Sequence, residues 1–276
     1  MIAEFIIMFR EAIEASLIVG IMLAYLHKTQ NQDQEKHIYL GVGSALVVSI
    51  LAAYGFSFIQ GGFDAHESLF EGVFLILATA FITWFILWMM ENKKIAEKIR
   101  NDMKTALDSN QTKGLFAIAF ISVFREGIEA VLFMAGIKLE TGGISFLGGL
   151  LGLVGALIVG YFIFEKAKKF DLNAFFKVTT IFLVLIAAGL FSRGVYELSE
   201  SHVIPEGIEH VWDINPQVNA DGSYPLLHED GTIGSMAKAL VGYDGDPSLA
   251  MIVGYVGYIG CVYVLSRKYT TPSTVA

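Results

Sequence analysis

One seven-residue string occurs twice, 115 positions apart: Phe9-Arg10-Glu11-Ala12-Ile13-Glu14-Ala15 and Phe124-Arg125-Glu126-Gly127-Ile128-Glu129-Ala130. Glu11 and Glu14 are i,i+3 neighbours, as are Glu126 and Glu129, so a helix presents each pair on one face. Arg10 and Arg125 stand i,i+4 from the second glutamate of their own motif and can pair with it. Left to themselves, clustered carboxylates repel and some take up protons. Two arginines reduce the formal charge of the combined motifs from -4 to -2. That keeps the glutamates ionised and leaves net attraction for a cation. Carboxylate oxygens without thiolate or imidazole favour hard cations. Ferric iron and manganese fit, and ferrous iron or lead is compatible. Glu11, Glu14, Glu126 and Glu129 are therefore candidate metal ligands, with Arg10 and Arg125 in support.

Both copies sit inside long apolar runs. A lone charge at the centre of a membrane helix costs about 2.5–3.5 kcal/mol. Six such charges facing lipid would cost roughly 20 kcal/mol, comparable to the whole stability of a protein. They must face one another, water or an ion, and intramembrane ionisable groups are functional candidates by default. Buried ion pairs that merely lock two helices are the plain alternative. Three charges per helix, doubled and centred, exceed what locking requires.

The chain has 276 residues, 54% of them hydrophobic and 17% charged, with a mean hydropathy of +0.58. That composition and several long uncharged runs indicate a polytopic membrane protein. A net charge of -8 argues against a nucleic-acid partner. The lone cysteine, Cys261, excludes an intrachain disulfide and a thiolate cage. Arg10, Glu11 and Glu14 break the N-terminal apolar stretch that a cleaved signal would need.

The expected fold is an all-α integral membrane protein, one permease domain over 1–276. Seven helices are expected at about 2–26, 38–60, 67–90, 115–138, 143–164, 174–198 and 248–266, each long enough to cross a ~30 Å core. Lys28, Lys36, Lys93, Lys94, Lys98, Arg100, Lys104, Lys113, Lys166, Lys168, Lys169, Lys177, Arg267 and Lys268 fall on one side. Only Lys138 and Lys238 fall on the other. The positive-inside rule then puts the N-terminus outside and the C-terminus in the cytoplasm. An odd number of spans separates the motifs, so spans 1–3 and 4–6 form an inverted-topology repeat. Transporters of that organisation hold substrate near the midplane between repeats. Counting ~1.5 Å per residue from either surface brings both motifs to mid-membrane.

Between spans, segment 91–113 carries Ile95, Ile99, Met103 and Leu107 at i+4 spacing among charges, a pattern suited to a helix on the bilayer surface, the plain alternative being a solvated connector with no other role. Segment 199–247 holds nine carboxylates against one lysine and is expected to form a small outer cap.

The doubled R-E-x-x-E motif resembles that of the oxidase-dependent iron transporter family, which includes the yeast high-affinity iron permease and the bacterial EfeU permeases. Leu69-Phe70-Glu71-Gly72, Leu172-Asn173-Ala174-Phe175-Phe176-Lys177 and Ala187-Ala188-Gly189-Leu190 resemble the EfeU branch. The likeness covers the chain to about residue 200. It implies iron import in a multi-pass cytoplasmic-membrane protein, passage through the glutamates of both motifs, and no resident cofactor. It also implies an extracytoplasmic donor, an oxidase or a binding protein with a peroxidase. Ala12 stands where the family commonly has glycine. The outer segment matches no family loop.

Other residues divide between chemistry and structure. Glu67 and Glu71, beside His66, could receive the ion at the outer end of helix 3. Arg193 and Glu197 read as a structural pair, with Glu200 beyond. His66, His202, His210 and His228 lie on the outer side as solvated residues rather than metal ligands. Asp244, Asp246 and Pro247 read as cap and first-turn residues. Gly148, Gly152, Ala156 and Gly160 form one small-residue stripe, and Gly254, Gly257 and Gly260 another, both suited to close packing. Trp84 and Trp88 read as interfacial or packing residues. A permease for manganese(II) or lead(II) is one rival reading, and a membrane metalloenzyme keeping its metal is another. Di-iron sites usually add Glu-x-x-His ligands, and no span core holds a histidine. A retinal-type receptor lacks its lysine at 248–266.

Overall fold

The computed structural model describes residues 1–60, 67–91, 95–108, 112–166, 172–205 and 207–270. His66, Lys93, Lys94, Lys168 and Lys169 lie outside the described residues, as does the side chain of Glu67. In chain order the helices are α1 (Ile2–Lys28), α2 (Glu35–Gln60), α3 (Glu67–Glu91), α4 (Ile95–Asp108), α5 (Thr112–Thr141), α6 (Phe146–Lys166), α7 (Leu172–Glu200), α8 (Thr232–Val241) and α9 (Leu249–Thr270). Each of the seven apolar segments expected from sequence is a helix, with ends displaced by a few residues. No strand occurs among the described residues.

Among the described residues, four stretches are long and apolar enough to cross a membrane: Gln32–Phe56, Ser68–Trp88, Phe176–Glu200 and Leu249–Arg267. α1 and α5 are as long, but the motif charges interrupt them. The described apolar stretch of α6, Phe146–Phe162, is shorter.

α1 packs against α5 and α6, α5 against α2, and α3 against α7, with α9 against both α7 and α3. Glycines set the closest approaches. A Cβ on Gly148 of α6 would meet the Met1 carbonyl oxygen at 2.3 Å, and one on Gly41 of α2 the Phe116 carbonyl oxygen at 2.7 Å. The α6 stripe is thus a contact with α1, as its spacing suggests. The α9 stripe is not: Gly254 touches Val195, whereas Gly257 and Gly260 face open space. Small residues permit close packing but do not require it.

α4 also departs from expectation. Ile99, Met103 and Ala106 are buried with Ile18, Met22 and Leu26 of α1, Ile38 of α2, and Leu115 and Ala119 of α5. The apolar stripe meets protein rather than lipid, because α1 and α5 together offer an apolar face at this end. Each side chain so buried gains about 1.5–3 kcal/mol over exposure to water.

At the opposite end of α1 and α5 lies α8, whose Ala239 is buried with Ala3, Ile7, Phe133 and Ile137. It terminates at Gly242, whose φ of 65° is left-handed; the Gly242 N–H donates to the Lys238 carbonyl at 2.9 Å and the Tyr243 N–H to the Ala237 carbonyl at 3.4 Å. The loop around α8 is tied down by Val211 N–H to the Pro247 carbonyl at 3.1 Å and Leu249 N–H to the Ile208 carbonyl at 2.8 Å. α9 is capped by the Ser248 hydroxyl, which accepts from Met251 N–H at 3.3 Å, not by Asp244 or Asp246.

Candidate functional site

The two motif helices are built alike around their charges. Phe5 stacks on Phe9 with centroids 5.6 Å apart, and Phe120 stacks on Phe124 at 5.4 Å, the same pair one repeat later. On one side of the charges α1 rests on α6. The matching side of α5 rests on α2, where Ser49 lies directly over Gly127.

Between these helices Glu11, Glu126 and Glu129 converge, each offering a carboxylate oxygen within 4.8 Å of the others. All three are buried. Glu14 stands beside the cluster rather than in it, so three of the four expected ligands come together.

Arg10 is wholly buried. It reaches Glu11 Oε1 at 2.5 Å through Nη1 and Glu14 Oε1 at 2.7 Å through Nη2. Arg125 bonds Glu126 Oε1 through Nη2 and, at 3.2 Å, through Nε; Glu129 Oε1 lies 3.6 Å from Nε. Sequence spacing identified the i,i+4 partners but not the adjacent glutamate, which in both motifs takes the shortest contact. Glu11 Oε2, Glu126 Oε2 and both Glu129 oxygens receive no hydrogen bond from the described residues. Buried carboxylate oxygens without donors call for a cation.

The arginines differ in setting. The Arg125 guanidinium is 27% exposed and lies 4.3 Å over the Trp88 ring and 5.2 Å from Phe85, both on α3. Sequence reading left Trp88 as a packing residue. Phe85 and Trp88 share a helix face, but nothing in that spacing points to an arginine on another helix.

A second charged group gathers where α3 meets α7. Gly72 and Gly194 permit close contact: a Cβ on Gly72 would meet Leu198 at 2.9 Å, and one on Gly194 Leu75 at 3.0 Å. Arg193 pairs with Glu197 at 2.6 Å, and Glu71 is near enough to act electrostatically on Glu197. The Tyr196 hydroxyl donates to Glu200 at 2.8 Å. Of the remaining histidines, His210 pairs with Asp246 at 2.7 Å, and that hydrogen bond raises its pKa above the ordinary histidine value. His228 lies against the Tyr224 ring. His202 belongs to neither contact.

Against this geometry stand the likenesses to known proteins. Residues 1–270 match the iron permease FTR1 family. The chain belongs to the FTR1 iron permease family. A ferrous iron permease EfeU of Yersinia pestis is 29% identical over 284 aligned positions, covering 100% of this chain and 98% of the relative. The ferrous iron permease EfeU of Escherichia coli O6:K15:H31 is 28% identical, covering 94% of this chain and 92% of the relative. A protein of Escherichia coli K12 described as a putative inactive ferrous iron permease EfeU matches to the same extent. No solved structure matches. As an FTR1 permease the chain is an all-helical membrane transporter, not an enzyme. The resemblance carried by the doubled motif is borne out over the full length.

Proposed function

We propose that this permease imports ferrous iron across the cytoplasmic membrane through a site formed by Glu11, Glu126 and Glu129. Glu14 completes the site, and Arg10 and Arg125 hold it. The observation that carries the reading is the convergence of three buried carboxylates from both motif helices within 4.8 Å. The relatives named as ferrous iron permeases support iron as the ion.

Seven spans cross the bilayer in this reading, with the N-terminus outside, and α1–α3 and α5–α7 are the inverted repeats. The packing supports that pairing. Exchanging the repeats turns the α1–α6 contact into the α5–α2 contact and leaves α1–α5 and α3–α7 unchanged, and all four contacts are present. The site then lies midway, at the crossing of the first helix of each repeat.

An extracytoplasmic donor, an oxidase or peroxidase system, delivers iron near Glu67 and Glu71. The ion sheds water and enters among Glu11, Glu126 and Glu129. Arg10 stays bound to Glu11 and Glu14, while Arg125 yields Glu126 and Glu129 to the metal. With 100 mV negative inside, entry is favoured by ~2.3 kcal/mol per charge. No nucleotide is needed.

Purified protein in proteoliposomes with an imposed potential tests this. Wild type should accumulate radio-iron(II), and Glu129→Gln should fall to the protein-free background while reconstituting equally. Undiminished uptake by Glu129→Gln would remove the site, and equal competition by manganese(II) and lead(II) would remove the preference for iron.

A further inference from the structure

A groove of about 1010 Å³ runs along α1 from the carboxylate cluster to the last turn of the helix. Glu11 and Glu126 open onto its inner end and His27 stands at its mouth. Between them α1 contributes Ala15, Val19 and Leu23, with walls from α2, α5 and α6. Beyond the mouth, His27 Nε2 faces Glu35 Oε1 at 2.8 Å and Nδ1 lies 3.4 Å from the Gln32 amide nitrogen.

We propose that this groove is the release path of the ion and that His27 and Glu35 are its last protein ligands. The inference rests on the permease reading above and adds a direction and an exit site to it.

Two features favour water or a cation over acyl chains at the inner end of the groove. Carboxylates opening onto the inner end would each cost about 2.5–3.5 kcal/mol against lipid, whereas water or a cation satisfies them. The walls are also graded: small residues such as Ala12, Ala15 and Gly127 border the charges, and an imidazole ends the path. Two other directions are covered. α4 covers the other face of α1 at this end, where Ile18, Met22 and Leu26 are buried. At the far end α8 closes over Ala3 and Ile7. The cluster is therefore open along the groove and covered toward α8. An exit pair of imidazole and carboxylate suits a borderline divalent ion such as iron(II) better than magnesium or calcium.

The test uses full-length protein in inside-out membrane vesicles, with Cys261→Ser removing the only cysteine. Val19→Cys on the groove wall should react with a charged, membrane-impermeant thiol reagent at least tenfold faster than Val47→Cys. Val47 is 57% exposed on α2 and lies outside the groove lining. In right-side-out vesicles, where iron enters from the outer face, His27→Ala should lower the maximal uptake rate several-fold with little change in KM for external iron, since it acts after binding. Equal labelling of the two cysteines would overturn the path, and an unchanged maximal rate in His27→Ala would overturn the exit ligands. Labelling needs no iron, so its failure is distinct from the failure of iron uptake by wild type.

Discussion

The first and second motifs have almost the same sequence and different surroundings. Arg10 has no exposed surface and bonds two glutamates of its own helix. Arg125 is 27% exposed, leans on Trp88 and holds one glutamate closely and a second at 3.6 Å. An exact two-fold would make the two equivalent. On the proposed mechanism Arg10 is the fixed counter-charge and Arg125 the one that releases its carboxylates. A carrier that opens to one side at a time needs such inequality, because a symmetric site would favour neither side.

Removing each arginine should break the comparison most strongly. Arg10→Met leaves Glu11 and Glu14 buried without their cation, a loss of about 3–5 kcal/mol. The variant should fail to accumulate in membranes, or melt far below wild type in detergent. Arg125→Met removes a cation that is itself part-exposed, so the loss should be smaller: the protein should accumulate better than Arg10→Met and transport poorly. Equal abundance and equal melting of both variants would show that the two settings do not differ in energy.

The contact beneath each motif offers a smaller test. A Cβ on Gly127 would meet Ser49 Oγ at 2.0 Å and its Cβ at 2.7 Å. The first motif already carries alanine, Ala12, at this position. Gly41 of α2 corresponds to Gly148 of α6, so Ser49 corresponds to Ala156, which lacks the hydroxyl. Gly127→Ala should therefore destabilise by about 1–3 kcal/mol through overpacking. Ala12→Gly should cost no more than ~1 kcal/mol. Adding Ser49→Gly to Gly127→Ala should restore at least half of the loss, a coupling readable in a double-mutant cycle. Simple additivity would mean that α2 does not confine Gly127.

How much of this was legible in the sequence follows from what each signal encodes. Apolar length and charge interruption give helices, and a repeated motif gives a pair of like elements, so the helices and the ligand candidates were readable. Contacts between helices are not periodic in sequence. The α9 glycines and the stripe on α4 were therefore assigned to the wrong neighbours, and α8 was hidden in a polar segment. The convergence of Glu11, Glu126 and Glu129 followed from depth arithmetic. The exclusion of Glu14 from that cluster did not, because it depends on which way a fully buried arginine turns. Trp88 was the least legible: its role arises only when α3 is laid across α5.

Trp88 also gives the finest test of the comparison. A guanidinium over an indole face gains about 0.5–2 kcal/mol, which holds Arg125 partly away from Glu129. In Trp88→Leu that hold is lost, and Arg125 should settle more firmly on the two glutamates and compete with the ion. The apparent KM for iron should rise about 2–5-fold, the equivalent of 0.5–1 kcal/mol, with protein abundance unchanged. Trp88→Tyr keeps an aromatic face and should recover most of the affinity, a rescue that mere filling of space by leucine cannot mimic. The effect should vanish when Trp88→Leu is measured in an Arg125→Lys background. A compact ammonium stacks less well than a planar guanidinium. Should the KM rise persist there, the tryptophan acts on the site by packing, and the inequality of the two motifs lies in Arg10 alone.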